Sequence, residues 1–202
     1  MSAPKFSTEA VVLDRAEHGE HFLKLSVLSP EEGLLVCLRR MSRKQPGTQP
    51  DLFDELALDL ERKGGGGPAF VREVEILRRR EAIGQSYRAL EAAGALSRVV
   101  LRNAVHIEDL PSLHALVVRA LDCWAHGEPP QAVLLKTLFL LVRSEGYPVA
   151  EDWLPRLEPD LREAAVTTLQ TPLKDLQIDP KMQKSLAQSF EDWMRHNTDF
   201  IL

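Results

Sequence analysis

The sequence predicts an α+β protein, with a five-stranded β-barrel at the N-terminus and an all-helical domain after it. Three observations carry that prediction. Apolar residues recur with period two from Ser7 to Leu77. The period changes to that of a helix after Arg80. Glycine, proline and acidic turn residues separate the runs on the first side of that change. The boundary divides the chain into residues 1–80 and 81–202.

Five strands are expected, at about 7–15, 21–29, 34–41, 52–62 and 69–78. In the second, Leu23, Leu25 and Val27 alternate with Lys24 and Ser26. Lys24 therefore faces away from the core, on the same side as Phe22. In the third, Leu34, Val36 and Leu38 alternate with Leu35, Cys37 and Arg39. In the fourth, Leu56, Leu58 and Leu60 alternate with Glu55, Ala57, Asp59 and Glu61, and in the fifth Val74 and Ile76 alternate with Glu73 and Glu75. The separators are turn chemistry: Glu17-His18-Gly19-Glu20, Ser29-Pro30-Glu31-Glu32-Gly33, the longer Gln45–Pro50 segment, and Gly64 to Gly67 followed by Pro68. Five antiparallel strands in about 75 residues are best closed, because closure removes exposed edges. An OB-type barrel satisfies this, with an SH3-like barrel as the alternative.

The helical half begins with Ile83, Tyr87, Leu90, Ala93 and Ser97 to Leu101 on one face. Asp109 before Pro111 reads as the start of a second helix that ends near Gly127. A third runs from Pro129-Pro130 to a stop at Gly146 and is apolar nearly all round from Leu138 to Val142, which predicts a central position in a bundle. Two more are expected at about 152–169 and 180–197.

Composition narrows the chemistry. The net charge is −5, with 13 Lys+Arg balancing 13 Asp+Glu in residues 1–80 and 12 against 17 in the rest. An anion-binding face is therefore expected to be local and to lie in the first part. No apolar run approaches the roughly 18 residues of a membrane span, and Met1 to Thr8 has no signal-like apolar stretch. Two cysteines, Cys37 and Cys123, fit reduced thiols in a cytoplasmic protein. His18 and His21 lack the further ligands a metal site needs, so neither metal nor cofactor is expected. The nucleophile, zinc-protease, P-loop and dinucleotide motifs are absent, and no enzyme activity is expected.

The strongest local signal is Arg39, Arg40, Arg43 and Lys44, four cations in six residues where the third strand runs into a loop. Guanidinium groups fork onto phosphate oxygens, and a backbone-tracking site needs several on one face. A second triplet, Arg78-Arg79-Arg80, sits at the domain junction.

The order of these elements resembles the RecO family of recombination mediators. Thr8-Glu-Ala-Val-Val-Leu13 resembles its opening strand, and Glu20 to Ser29 followed by Pro30-Glu-Glu-Gly33 its second strand and turn. Arg39-Arg-Met-Ser-Arg-Lys44 takes the place of its basic stretch, with Met41 at a glycine of the family pattern. Gln49-Pro-Asp-Leu-Phe53, the strand from Val71 to Ile76, and Leu138 to Glu145-Gly-Tyr-Pro148 continue the series. The four-cysteine zinc motif that many members carry after that point is missing, since Val149-Ala-Glu-Asp-Trp153 stands there.

The resemblance implies an OB fold joined to helices and DNA repair by mediation of recombination. It implies binding of single- and double-stranded DNA, strand annealing, and help in loading recombinase onto DNA coated by single-strand-binding protein. It also implies two protein partners, RecR and the acidic C-terminal tail of single-strand-binding protein. The expected DNA contacts are Lys24, Arg39, Arg40, Arg43 and Lys44. Lys136 and Phe139 on the third helix are the expected partner contacts. The alternative is a protein-interaction scaffold whose barrel has lost DNA binding, which the net acidity and scarce aromatics favour.

Overall fold

A computed structural model describes residues 4–41, 49–62 and 67–202. Arg43, Lys44 and Gly64 to Gly66 lie outside the described residues. The protein is α+β; among the described residues a five-stranded sheet is followed by seven α-helices.

The strands are β1 (Lys5–His18), β2 (Phe22–Ser29), β3 (Gly33–Arg40), β4 (Glu55–Arg62) and β5 (Ala69–Arg78). β1 is longer than the alternation predicts because it serves two neighbours. Its first half pairs with β4, from Lys5 opposite Glu61 to Val11 opposite Glu55. Its second half pairs with β2, ending with His18 opposite Phe22. A register irregularity between Val12 and Asp14 lies in this second ladder, and irregularities of this kind bend a strand. The neighbour order is β1-β2-β3-β5-β4, so the pairings return to β1 and the sheet closes. The closing contact of β3 with β5 is parallel and short, Cys37 opposite Ala69 and Leu38 opposite Phe70. The strands are therefore not all antiparallel.

Inside lie Ala10, Val12, Leu23, Leu25, Val27, Leu35, Cys37, Leu56, Leu58, Leu60 and Ala69. The two apolar sets of β3 compete for this position, and Leu35 and Cys37 occupy it while Val36 is 40% exposed. Every apolar residue of the alternating set in β4 is buried, as its period demands.

The helices are α1 (Glu81–Gly84), α2 (Tyr87–Asn103), α3 (Leu110–Ala125), α4 (Pro130–Ser144), α5 (Val149–Arg156), α6 (Pro159–Gln170) and α7 (Pro180–Asn197). The first expected helix is two. The break falls after Gly84, and Ser86 Oγ accepts from the Ala89 amide to start α2 anew. Its buried face is Ala89, Ala92, Ala93, Leu96, Val99 and Val100, whereas Tyr87 and Leu90 are exposed. The expected helix over 152–169 is also two, because Pro159 opens a new one. α3 begins as its residues predict, with Asp109 accepting from the Ser112 amide. α4 packs against α2, α5, α6 and α7, the central position that its nearly continuous apolar surface predicts.

The chain forms two compact units, Met1–Arg80 with Ala104–Val118, and Glu81–Asn103 with Arg119–Leu202. This differs from a single boundary at Arg80, since the segment Ala104–Val118 belongs with the sheet. Within that unit Gly33 explains part of the arrangement. Its φ is +69°, and a Cβ there would stand 3.1 Å from Cδ1 of Leu110.

Candidate nucleic-acid interface

Antiparallel pairing places directly opposed residues on one face of a sheet. Between β2 and β3, Phe22 opposes Arg40 and Lys24 opposes Leu38. Leu38 in turn neighbours Phe70 of β5. Phe22, Lys24, Leu38, Arg40 and Phe70 therefore share the outer face. The rings of Phe22 and Phe70 meet edge-on, with centroids 6.3 Å apart and planes at 77°. Both rings are partly exposed. Arg40 is exposed, Lys24 is half-buried, and neither forms an ion pair among the described residues.

A groove of about 630 Å³ opens beside this face, lined by His18, Lys24, Val36, Leu38, Arg62 and Pro68 among others, with no carboxylate among the described residues of its wall. Arg62 ends β4, and its guanidinium lies over the Phe6 ring, 5.3 Å from the centroid. A second groove of about 630 Å³ has the opposite character. It runs over β1, β4 and β5 and carries Glu9, Glu31, Asp59, Glu73 and Glu75. On its outer wall the sheet thus carries Lys24 and Arg40 with Phe22 and Phe70 on one side and a cluster of carboxylates on the other, while Arg62 follows the inward parity of Leu58 and Leu60 to the rim of the groove.

The expected DNA contacts separate in this geometry. Lys24 and Arg40 stand on the same outer face. Arg39 does not, because it opposes the core residue Leu23 and follows the inward parity of Leu35 and Cys37. Partial burial holds its guanidinium below the ordinary arginine range. Arg43 and Lys44 lie outside the described residues. Sequence reasoning missed Arg62, and it missed the meeting of Phe22 with Phe70. Both depend on the parallel β3–β5 closure, which no local pattern announces.

The Arg78–Arg80 triplet faces carboxylates. Arg80 is buried, with Nη2 2.9 Å from Glu55 Oε2 and Nη1 donating to the Phe53 carbonyl at 2.9 Å. Arg79 lies 3.3 Å from Asp54, itself buried. These pairs hold the turn before β4, where Phe53 adopts φ 68°. Cys37 is sealed in the core, and burial pushes its thiol up to about 12, only partly opposed by Arg62.

On α4, Phe139 is 7% exposed and packs with Trp153 and Phe190 at centroid distances of 6.4 and 6.3 Å. Its ring belongs to the core of the second unit, so a partner arriving here would meet Lys136 without it. Lys136 Nζ donates to the Thr171 carbonyl at 2.5 Å, and burial lowers its pKa.

Among the described residues no group of three or more His, Cys, Asp or Glu side chains is placed to hold a metal ion, and no helix is long and apolar enough to cross a membrane. No protein-family model matches the sequence, and no curated protein matches it.

Proposed function

We propose that this protein is a DNA-binding recombination mediator of the RecO kind, acting in the cytoplasm in DNA repair, whose closed sheet is an OB-type barrel that holds DNA across β2 and β3. The observation that carries the reading is the groove walled by Lys24, Arg62 and His18, with no carboxylate among its described residues, beside the Phe22–Phe70 pair. Five strands joined by a short closing contact between β3 and β5 support a barrel of this type, whose β2–β3 face is where such barrels take oligonucleotides. Cations along one face neutralise phosphates, while a partly exposed ring offers a base a stacking surface whatever its identity. The acidic groove on β1, β4 and β5 repels a polyanion and leaves one side for it.

Annealing then needs no catalytic group. Neutralising two strands lowers their repulsion, and base pairing supplies the driving force. Contacts with RecR and with the tail of single-strand-binding protein belong to the same proposal, as does help in loading recombinase.

The acidic groove favours a second reading, a protein-interaction scaffold that no longer binds DNA. A mobility-shift assay at about 50 mM salt separates the two, because phosphate-driven binding is strongest there. The proposal expects a shifted oligonucleotide, and faster annealing of complementary strands that Phe22→Ala and Lys24→Glu each diminish. A chain that shifts no DNA under those conditions is the scaffold.

A further inference from the structure

Residues 199–202 follow α7 and lie against the end of α2 and the turn after α4. Asn103 grips one residue of this segment twice. Its Nδ2 donates to the Ile201 carbonyl at 2.9 Å, and its Oδ1 accepts from the Ile201 amide at 2.9 Å. One side chain thus supplies what a neighbouring strand would supply to a hydrogen-bonded residue. The amide is preset for this, because Asn103 is buried and Nδ2 also donates to the Val99 carbonyl at 2.7 Å.

Tyr147 reads the residue two positions earlier. Its hydroxyl accepts from the Asp199 amide and donates to the Asp199 carboxylate, both at 3.1 Å. Its ring meets Phe200 at 6.1 Å between centroids. Arg102 donates to the Leu202 carbonyl. The groups that hold the segment therefore select an acidic residue, then an aromatic one, then main chain.

Asp199 is exposed and Ile201 is 55% exposed, so apart from the Phe200 ring the segment is held by hydrogen bonds, each of modest net strength. Main-chain recognition of an extended segment is a recurring way to bind peptides. A competing chain that satisfies the same groups gains what the resident segment loses.

We propose that Arg102, Asn103 and Tyr147 form a peptide-docking site, occupied in cis by residues 199–202, which accepts in trans an extended segment of a partner protein bearing an acidic residue followed by an aromatic one. The resident segment sets a threshold, because a tethered competitor acts at high effective concentration.

The test uses the full chain and a fluorescein-labelled peptide of residues 195–202, followed by anisotropy. In the Asp199→Ala/Phe200→Ala chain the site residues are intact but the resident segment is weakened. This chain binds the peptide about tenfold more tightly than the unaltered one, since self-occupation no longer reduces the competent fraction. Adding Tyr147→Phe, which keeps the ring, removes most of that gain, and so does lysine in place of the peptide's aspartate. Adding Asn103→Ala abolishes binding in a chain whose circular dichroism is unchanged. If the released chain binds no more tightly than the unaltered one, or if binding ignores both Tyr147→Phe and the peptide's acid, the proposal is overturned. Mass doubling of the unaltered chain that Asp199→Ala/Phe200→Ala abolishes gives the site to a second copy and overturns it too.

Discussion

Several arginines in and just beyond the strands face carboxylates: Arg15 meets Asp51 at 2.9 Å, Arg72 meets Glu61 at 3.2 Å, and Arg80 meets Glu55 at 2.9 Å. Lys24 and Arg40 do not, and they stand beside Phe22 on one face. Phe22→Ala is expected to weaken single-strand binding by about 1–3 kcal/mol, the range for a base–aromatic stack, read from a binding isotherm at fixed salt. Cys37 makes a different prediction. A thiol raised from 9.0 to about 12 stays protonated and unreactive in the folded protein. A folded pKa above the unfolded one contributes stability that is complete below 9.0 and is lost as pH climbs towards about 12. Iodoacetamide near pH ~8 should therefore label Cys37 only after denaturant is added, as mass spectrometry of the alkylated peptide would show. At this scale the sequence was half legible. Period two places Lys24 outward correctly, but Arg39 and Arg40 are adjacent cations in an equally apolar alternation. Only the competition between Leu35 and Leu34 for the interior decides which cation faces out.

Elements were legible where local chemistry is decisive. Asp179 accepts from the amides of Lys181 and Met182, ahead of Pro180 at the first position of α7, so the expected start of that helix coincides with the observed one. Asp179→Ala should cost about 1 kcal/mol. That amounts to a fall of roughly 2–4 °C in the melting temperature of a chain this size. The breaks between α1 and α2 and between α5 and α6 were less legible, since an apolar period continues across them. Gly33 controls the packing of the α3 start on the sheet. Gly33→Ala combines a positive φ with a close approach to Leu110, so a loss of about 1–3 kcal/mol is expected in thermal unfolding. His114, on the first half of α3, has a buried Nε2 with no partner among the described residues. Desolvation lowers its pKa, Glu55, Glu31 and Glu9 raise it, Arg80 lowers it further, and the net shift is downward from 6.5. The folded state then binds fewer protons than the unfolded one, so this contribution is present above 6.5 and is lost as pH falls below it. His114→Gln should reduce the loss of stability between pH ~7.5 and ~5 in parallel urea titrations. An equal loss in both proteins would remove His114 from the account.

On the scale of the molecule, the period change at Arg80 located the end of the sheet, because strand and helix demand different spacings of apolar residues. The membership of Ala104–Val118 in the sheet's unit was hidden, as nothing in a helical pattern states which surface its apolar face will cover. Net charge was equally uninformative about the surface. A total of −5 conceals a sheet on which carboxylates gather over β1, β4 and β5 while Lys24 and Arg40 stand on β2 and β3. That segregation is what the proposed nucleic-acid face rests on, and its electrostatic contribution is countable. The deciding measurement is the salt dependence of binding to a labelled single strand, for the unaltered chain and for Lys24→Ala/Arg40→Ala. Plotted as log affinity against log salt, the unaltered chain should give a straight descending line. The double variant should lie below it at low salt, with a slope shallower by about 1.4, two phosphate contacts at roughly 0.7 each. Superimposable lines would mean that these cations touch no phosphate, and the nucleic-acid face assigned to β2 and β3 would be wrong.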